Sequence, residues 1–289
     1  MGNLTQSLSG FRAVFRHELR MLFFAPLSYL FQIAFLLGLS TCVFLVTDFY
    51  ASDEATMRLL LVFIPWVSLI LIPSLAMSAW VDSQADRGLE LTFTLPVGLA
   101  AIVLGKFSAG YVLLLLTLGL TFPFVLTLAY LGDPDPGVIT SGYLACALLL
   151  GVCFSLALFA AALVREPVGG FVTGVALLFL LMLCGWDVFG RLLRTTLPQW
   201  AWESLAAYSP VTWLSSLGAG VLYFQGLFYF LATISIALIA THWVVRSRRA
   251  GGIRRQVTRR QSVTVLALGV LWLVGVPLSS YLPGQVDLT

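Results

Sequence analysis

Long uncharged apolar runs separated by short polar breaks dominate this chain. The runs are Pro26–Thr47, Leu59–Val81, Phe107–Leu131, Gly137–Val164, Pro167–Trp186, most of Leu205–Val245, and Ser262–Leu282. A helical bilayer crossing needs about 20 apolar residues, and a helix satisfies its backbone groups internally where no water can. Each run therefore predicts a membrane-spanning helix. Pro65 and Pro73 are expected to kink the second. Leu205–Val245 is too long for one crossing and is interrupted by Ser209-Pro210. It reads as a partly inserted or re-entrant helix followed by the sixth span, about Gly226–Val245.

Residues 1–24 show a different pattern. Arg12, Arg16 and Arg20 recur every four positions and form one stripe of a helix, while Leu8, Phe11, Phe15, Leu19 and Leu22 form another. Such a helix lies in the membrane interface with its arginines toward anionic headgroups, and Pro26 ends it. Two further segments break the run of spans. Residues 82–106 form a loop of mixed character. Residues 187–225 carry Trp200, Trp202, Tyr208 and Trp213 around Pro210, an aromatic density that fits a helix at the outer interface. The predicted fold is thus an all-α integral membrane protein. It has an N-terminal interfacial helix (1–24), a six-span bundle (25–246), an Arg-rich linker (247–261), and a seventh span with its tail (262–289).

Composition agrees with lipid as the solvent: charged residues make up 10% of the chain, against roughly 25% in soluble domains. Charge position then sets orientation. With the N-terminus inside, thirteen of the sixteen Lys and Arg residues face the cytoplasm, and only Arg58, Arg191 and Arg194 do not. The positive-inside rule therefore predicts a cytoplasmic N-terminus and an external C-terminus. The seven arginines of 246–260 lie between two spans. They read as a topology anchor on anionic lipid, and no nucleic-acid partner is expected.

The chain offers little for catalysis. Its only Gly-Lys pair, Gly105-Lys106, is followed by Phe107 and lacks the upstream glycine of a phosphate loop. His17 and His242 are the only histidines and belong to no zinc spacing. Ser141 and Ser209 have no histidine near them in sequence, and a serine nucleophile needs a base. Cys42, Cys146, Cys153 and Cys184 all sit in apolar runs and read as small buried hydrophobes. No metal or cofactor is expected on this chain. Spans almost free of charge also argue against a self-powered ion carrier, so any energy source must lie on a partner.

The loop reads Val81-Asp-Ser-Gln-Ala-Asp-Arg-Gly-Leu-Glu-Leu-Thr-Phe-Thr-Leu-Pro-Val97 and continues to Ile102-Val-Leu-Gly-Lys106. Over about residues 10–250, this loop, the segment Tyr208-Ser-Pro-Val-Thr-Trp213 and the order of spans resemble the ABC-2-type permease family. The Arg-rich linker, seventh span and Asp287-Leu-Thr289 are most similar to the gliding-motility (GldF-like) branch, joined to the start of a GldG-like auxiliary subunit. A truncated fusion, a processed product and a permease with an extra anchor all fit that ending. The resemblance implies the transmembrane subunit of an ATP-binding-cassette transporter in a bacterial inner membrane. A second copy of the chain and two cytoplasmic ATPase subunits carrying ATP and Mg would accompany it, with a periplasmic GldG-like subunit as a further partner. On this reading Asp82, Asp86, Arg87, Leu89, Glu90, Leu95 and Pro96 form the coupling element that grips the ATPase. The N-terminal helix, with Arg12, Arg16, Glu18 and Arg20, supplies a second contact. Trp200, Trp202, Tyr208, Pro210 and Trp213 would cap the exit. The function is then export or extrusion, or else mechanical action on a periplasmic partner without solute movement. Gly169, Gly170 and Gly174 would permit close helix approach, at a dimer seam or within the chain.

Overall fold

A computed structural model of the chain describes residues 2–46, 58–80, 98–131, 135–164, 166–186, 189–191, 206–218, 221–249 and 285–287. The coupling residues Asp82, Asp86, Arg87, Leu89, Glu90, Leu95 and Pro96 fall outside the described residues. So do Trp200, Trp202, the linker beyond Arg249, and the expected seventh span. The elements are α1 (Gly2–Phe24), α2 (Pro26–Thr41, closed by a π-helical turn Cys42–Val46) and α3 (Arg58–Ser78). Then come α4 (Leu99–Gly119), α5 (Phe122–Leu131), α6 (Pro136–Leu163) and α7 (Pro167–Leu183). Last are α8 (Pro210–Leu217), β1 (Val221–Tyr223), α9 (Phe224–Arg249) and β2 (Gln285–Asp287). Among the described residues five helical stretches are long and apolar enough to cross a membrane. The chain is thus a multi-pass helical membrane protein, and among the described residues the regular structure is helical apart from one three-residue antiparallel pair, β1 with β2.

Proline sets where many of these helices begin. α2, α6, α7 and α8 all carry proline at their first turn, where the missing N–H has no partner to lose. Asp135 caps α6 by accepting the Gly137 N–H at 2.7 Å, and Ser209 caps α8 by accepting the Val211 N–H at 3.3 Å. Pro65 and Pro73 lie within α3, which remains helical through both.

The third apolar run ends at Leu131 as expected but departs from expectation at its start and in its interior. Phe107 was the predicted start, but helix begins at Leu99, so residues 99–106 of the predicted loop are the first two turns of α4. Leu99–Leu104 is apolar and helix-compatible, and Lys106 is carried within the helix. The stretch Leu99–Leu131 spans 33 residues, about 50 Å if straight against about 30 Å of hydrocarbon. It is not one helix: Leu120 and Thr121 form a turn that ends two residues before Pro123, which has no N–H to continue the ladder. The Thr121 hydroxyl bonds to the Leu118 carbonyl at 2.6 Å and to the Tyr143 hydroxyl at 3.0 Å, tying the turn to α6.

α6 is the hub. It packs against α3, α4, α7, α8 and α9, and Ala145, Cys146, Leu149, Cys153, Ala157, Leu158 and Ala160 are buried along it. Lipid gives helices no hydrophobic reason to associate, so close van der Waals packing must do it, and small residues make it possible. Gly110 of α4 receives the Phe154 ring. A Cβ on Gly170 would lie 3.2 Å from the Ala161 backbone, and one on Gly174 would lie 3.1 Å from the rigid Pro73 ring. Gly170 and Gly174 therefore serve packing within the chain, joining α7 to α6 and α3. Cys146 and Cys153 are buried, as the apolar reading anticipated, whereas Cys42 and Cys184 are half-buried. Along the outside, Leu27, Leu30, Ile33 and Leu37 of α2 and Val168, Val172 and Leu180 of α7 are exposed, an apolar surface suited to lipid.

Gly170→Val is expected to lower stability by about 1–3 kcal/mol through overpacking against a backbone that cannot move aside. Gly119→Ala, whose Cβ meets no atom within 4 Å, should leave stability unchanged or slightly raised. Thermal unfolding in mild detergent checks both.

Candidate functional site

Two clusters of polar and aromatic side chains lie at opposite ends of the bundle. The first forms where α1 meets α4. The stripes expected of α1 are present: Arg12, Arg16 and Arg20 are exposed, while Phe11, Phe15, Leu19 and Leu22 are half-buried, with the Phe11 and Phe15 rings stacked at 6.1 Å. Yet the helix does more than rest on a surface. It packs along α4, where Gly105 leaves room for Val14, whose Cγ1 would be 2.6 Å from any added Cβ.

One turn further along α1, Glu18 meets Lys106 of α4 in an ion pair at 2.6 Å, with side chains 20% and 12% exposed. A lysine in that position needs a partner, because an unpaired charge at low dielectric is costly. The Lys106 ammonium also lies 5.7 Å from the centre of the Trp80 ring, within cation–π range. Trp80 is itself buried, and its Nε1–H donates to the Leu158 carbonyl of α6 at 3.2 Å. Around it Val103, Ala161 and Ala162 form a small core, with Val244 and Val245 of α9 against it. Arg248 of α9 reaches the carbonyl of Val164, just past the end of α6, at 3.5 Å. One node thus ties together α1, the chain leaving α3, α4, α6 and α9.

The predicted coupling loop hangs from this node. Trp80 is the last described residue before it and Gly98 the first after it. Of the N-terminal residues proposed from sequence, Glu18 is in the node, and Arg12, Arg16 and Arg20 face away from the bundle. Trp80 and the pairing of Lys106 with Glu18 were missed. The signal for Lys106 was a single charge at the edge of an otherwise uncharged run, which demands a partner.

The second cluster sits at the other end, around α8. Tyr229 of α9 is buried, and its hydroxyl donates to the Tyr208 carbonyl at 2.6 Å. The Trp213 Nε1–H donates to the Ala207 carbonyl at 2.8 Å, and its ring stacks on Tyr229 at 6.2 Å. Gly185 lets Ser209 and Thr212 approach, and Gly218 lets Leu61 of α3 approach. Trp66 and Trp186 meet edge to face at 5.1 Å. Pro210, Leu214 and Leu217 are buried, so α8 is a plug in the bundle end, with Tyr208, Pro210 and Trp213 brought together there.

Neither cluster assembles a nucleophile with a base, and among the described residues no group of three or more His, Cys, Asp or Glu is placed to hold a metal ion. Their contacts are hydrogen bonds, ring packing and one ion pair. No protein-family model matches this chain, and no characterised protein is similar enough in sequence to count as a relative.

Glu18→Gln or Lys106→Met alone should destabilise the α1–α4 contact. The swap Glu18→Lys with Lys106→Glu should recover part of the loss, with a coupling energy of about 1–3 kcal/mol in a double-mutant cycle read by thermal unfolding. At the other end, Tyr229→Phe should cost about 0.5–1.5 kcal/mol by removing the hydrogen bond to the Tyr208 carbonyl, measured the same way.

Proposed function

We propose that this chain is the membrane subunit of an ATP-driven transporter, taking its motion from a separate ATPase that docks on the end bearing α1 and the 81–97 loop. The observation that carries the reading is the Glu18–Lys106–Trp80 node. A force applied to the loop arrives first at Trp80 and at the start of α4. Both are joined to α1 and, through the Trp80–Leu158 hydrogen bond, to the central helix α6. A pull there moves several helices together. The loop sequence supplies the grip: Asp82, Asp86, Arg87 and Glu90 offer charged contacts, while Leu89, Leu95 and Pro96 offer apolar ones.

The arginines at positions 12, 16, 20 and 246–260 support a cytoplasmic placement of this end. In the proposed assembly six spans of each copy form the permease, α7 completing the set despite its 17 residues. Two copies of the chain work with two ATPase subunits holding ATP and Mg, in a bacterial inner membrane. A second reading is mechanical action on an extracytoplasmic partner without solute movement. It is favoured by β2, which brings the C-terminal segment to the α8 end, opposite the docking end.

Tagged chain purified in mild detergent from its native host should bring down an ATP-binding-cassette ATPase. Combining Arg87→Glu with Glu90→Arg should cut recovery of that subunit at least about tenfold, as expected when like charges meet across an interface. ATP hydrolysis by the chain alone, or purification with no nucleotide-binding subunit, would sink the proposal.

A further inference from the structure

The span Pro26–Leu45, formed by α2 and its π-helical turn, is 28% buried, against 78% for α6, so most of its surface faces lipid. Ser28, Phe31, Phe35 and Leu39 turn toward the bundle. Tyr29, Ile33 and Ser40 are exposed, and Gln32 and Leu36 are half-buried between the two rows. Helical spacing sets Tyr29, Gln32, Leu36 and Ser40 along one flank of α2. Gln32 lies six residues past Pro26, about 9 Å along the axis, and therefore within a hydrocarbon layer about 30 Å thick. Its amide carries two N–H donors and a carbonyl acceptor, and acyl chains offer a partner to neither. Among the described residues no hydrogen bond reaches the Gln32 amide or the Ser40 hydroxyl. Buried hydroxyls elsewhere in the bundle behave differently: Thr117, Ser155, Thr233 and Thr241 all bond back to carbonyls of their own helices. A span amide too far from its own carbonyls to do the same finds its partner across a helix pair.

We infer that α2 pairs with α2 of a second copy of this chain along the Tyr29–Gln32–Leu36–Ser40 flank, the two Gln32 amides bonding to each other. Symmetry picks out the partner. A two-fold axis along the membrane normal keeps both copies in one orientation and sets each flank residue near its own counterpart. An amide is its own complement, because the N–H of each copy can reach the carbonyl of the other. Two like charges at that position would repel, and two leucines would gain nothing over lipid. Ile33 and Leu36 beside the amides exclude water, and the polar pair fixes the register of the two helices, as a single buried polar residue does in a coiled coil. The seam deepens the two-copy assembly proposed above and rests on that part of it. It does not require the ATPase.

The test uses the full chain in native membranes, carrying Cys42→Ala and Cys184→Ala; Cys146 and Cys153 are buried and stay. Leu36→Cys on the flank is compared with two lipid-facing controls, Leu30→Cys on the far side of α2 and Val172→Cys on α7, 62% and 58% exposed before substitution. Under mild oxidation Leu36→Cys should form a disulfide-linked dimer at least about fivefold faster than either control, since the bond demands close, fixed approach. Random collision would favour the more exposed controls. Adding Gln32→Leu should cut the Leu36→Cys dimer about five- to tenfold, the worth of a hydrogen bond between spans, while Gln32→Asn, which keeps the amide, should retain most of it. Equal crosslinking at Leu36→Cys and Leu30→Cys, a Leu36→Cys product of another size in place of the dimer, or Gln32→Leu without effect overturns the seam. Recovery of an ATPase with the same membranes' tagged chain separates the two readings. Its presence without the Leu36→Cys dimer fails the seam alone, and its absence with an amide-dependent dimer leaves the seam standing.

Discussion

Everything in this fold depends on how closely backbones can approach α6. In lipid, burying a leucine gains little over leaving it in the acyl chains, so association rests on contact density. α6 meets that constraint with alanine, glycine, serine and cysteine at the positions where neighbours cross it, and the neighbours answer with glycines of their own. Phe154 against Gly110 and Ala161 against Gly170 are two forms of the same solution. The hub then supplies the fixed body to which the two polar clusters are attached.

Those clusters differ in kind. The plugged end is held by neutral hydrogen bonds and stacked rings, Tyr229 to Tyr208 and Trp213 to Ala207. The opposite end is held by charge, with Glu18, Lys106 and the Trp80 ring in one group. An ion pair at a membrane boundary is strong while dry and weak once wetted. The charged node can thus respond to whatever covers or uncovers it, while the neutral cluster holds its shape. The proposed function uses this asymmetry, with drive at the charged end and action at the other.

Much of the helical pattern could be read in advance, because absence of charge over about 20 residues has few other meanings. Pro26–Thr47, Leu59–Val81 and Gly137–Val164 became helices within a few residues of their expected limits. The errors came where one residue carried two signals. The charge on Lys106 marks a span boundary in the sequence, yet its pairing with Glu18 lets helix extend back to Leu99. The turn at Leu120–Thr121 lies within an uncharged stretch whose only marker is Pro123, and prolines inside α3 at 65 and 73 leave that helix continuous. The β1–β2 pair could not be foreseen, since neither Val221–Tyr223 nor Gln285–Asp287 shows an alternating pattern long enough to mark a strand. Of the site residues, Glu18, Tyr208, Pro210 and Trp213 were visible as charge or aromatic density. Trp80 was not, because a tryptophan at the end of an apolar run looks the same whether it faces lipid or a lysine.

The separation of Glu18 from Lys106 by 88 positions bears on biogenesis. Synthesis proceeds from the N-terminus, so α1 leaves the ribosome well before its partner exists. During that interval its carboxylate has water and headgroups for company, and its apolar face must shelter against lipid. Only when α4 is inserted does the first-made segment gain its final neighbour. A chain halted before residue 106 has the first-made helix against α2 alone, without the helix that supplies most of its contacts and the partner of its carboxylate.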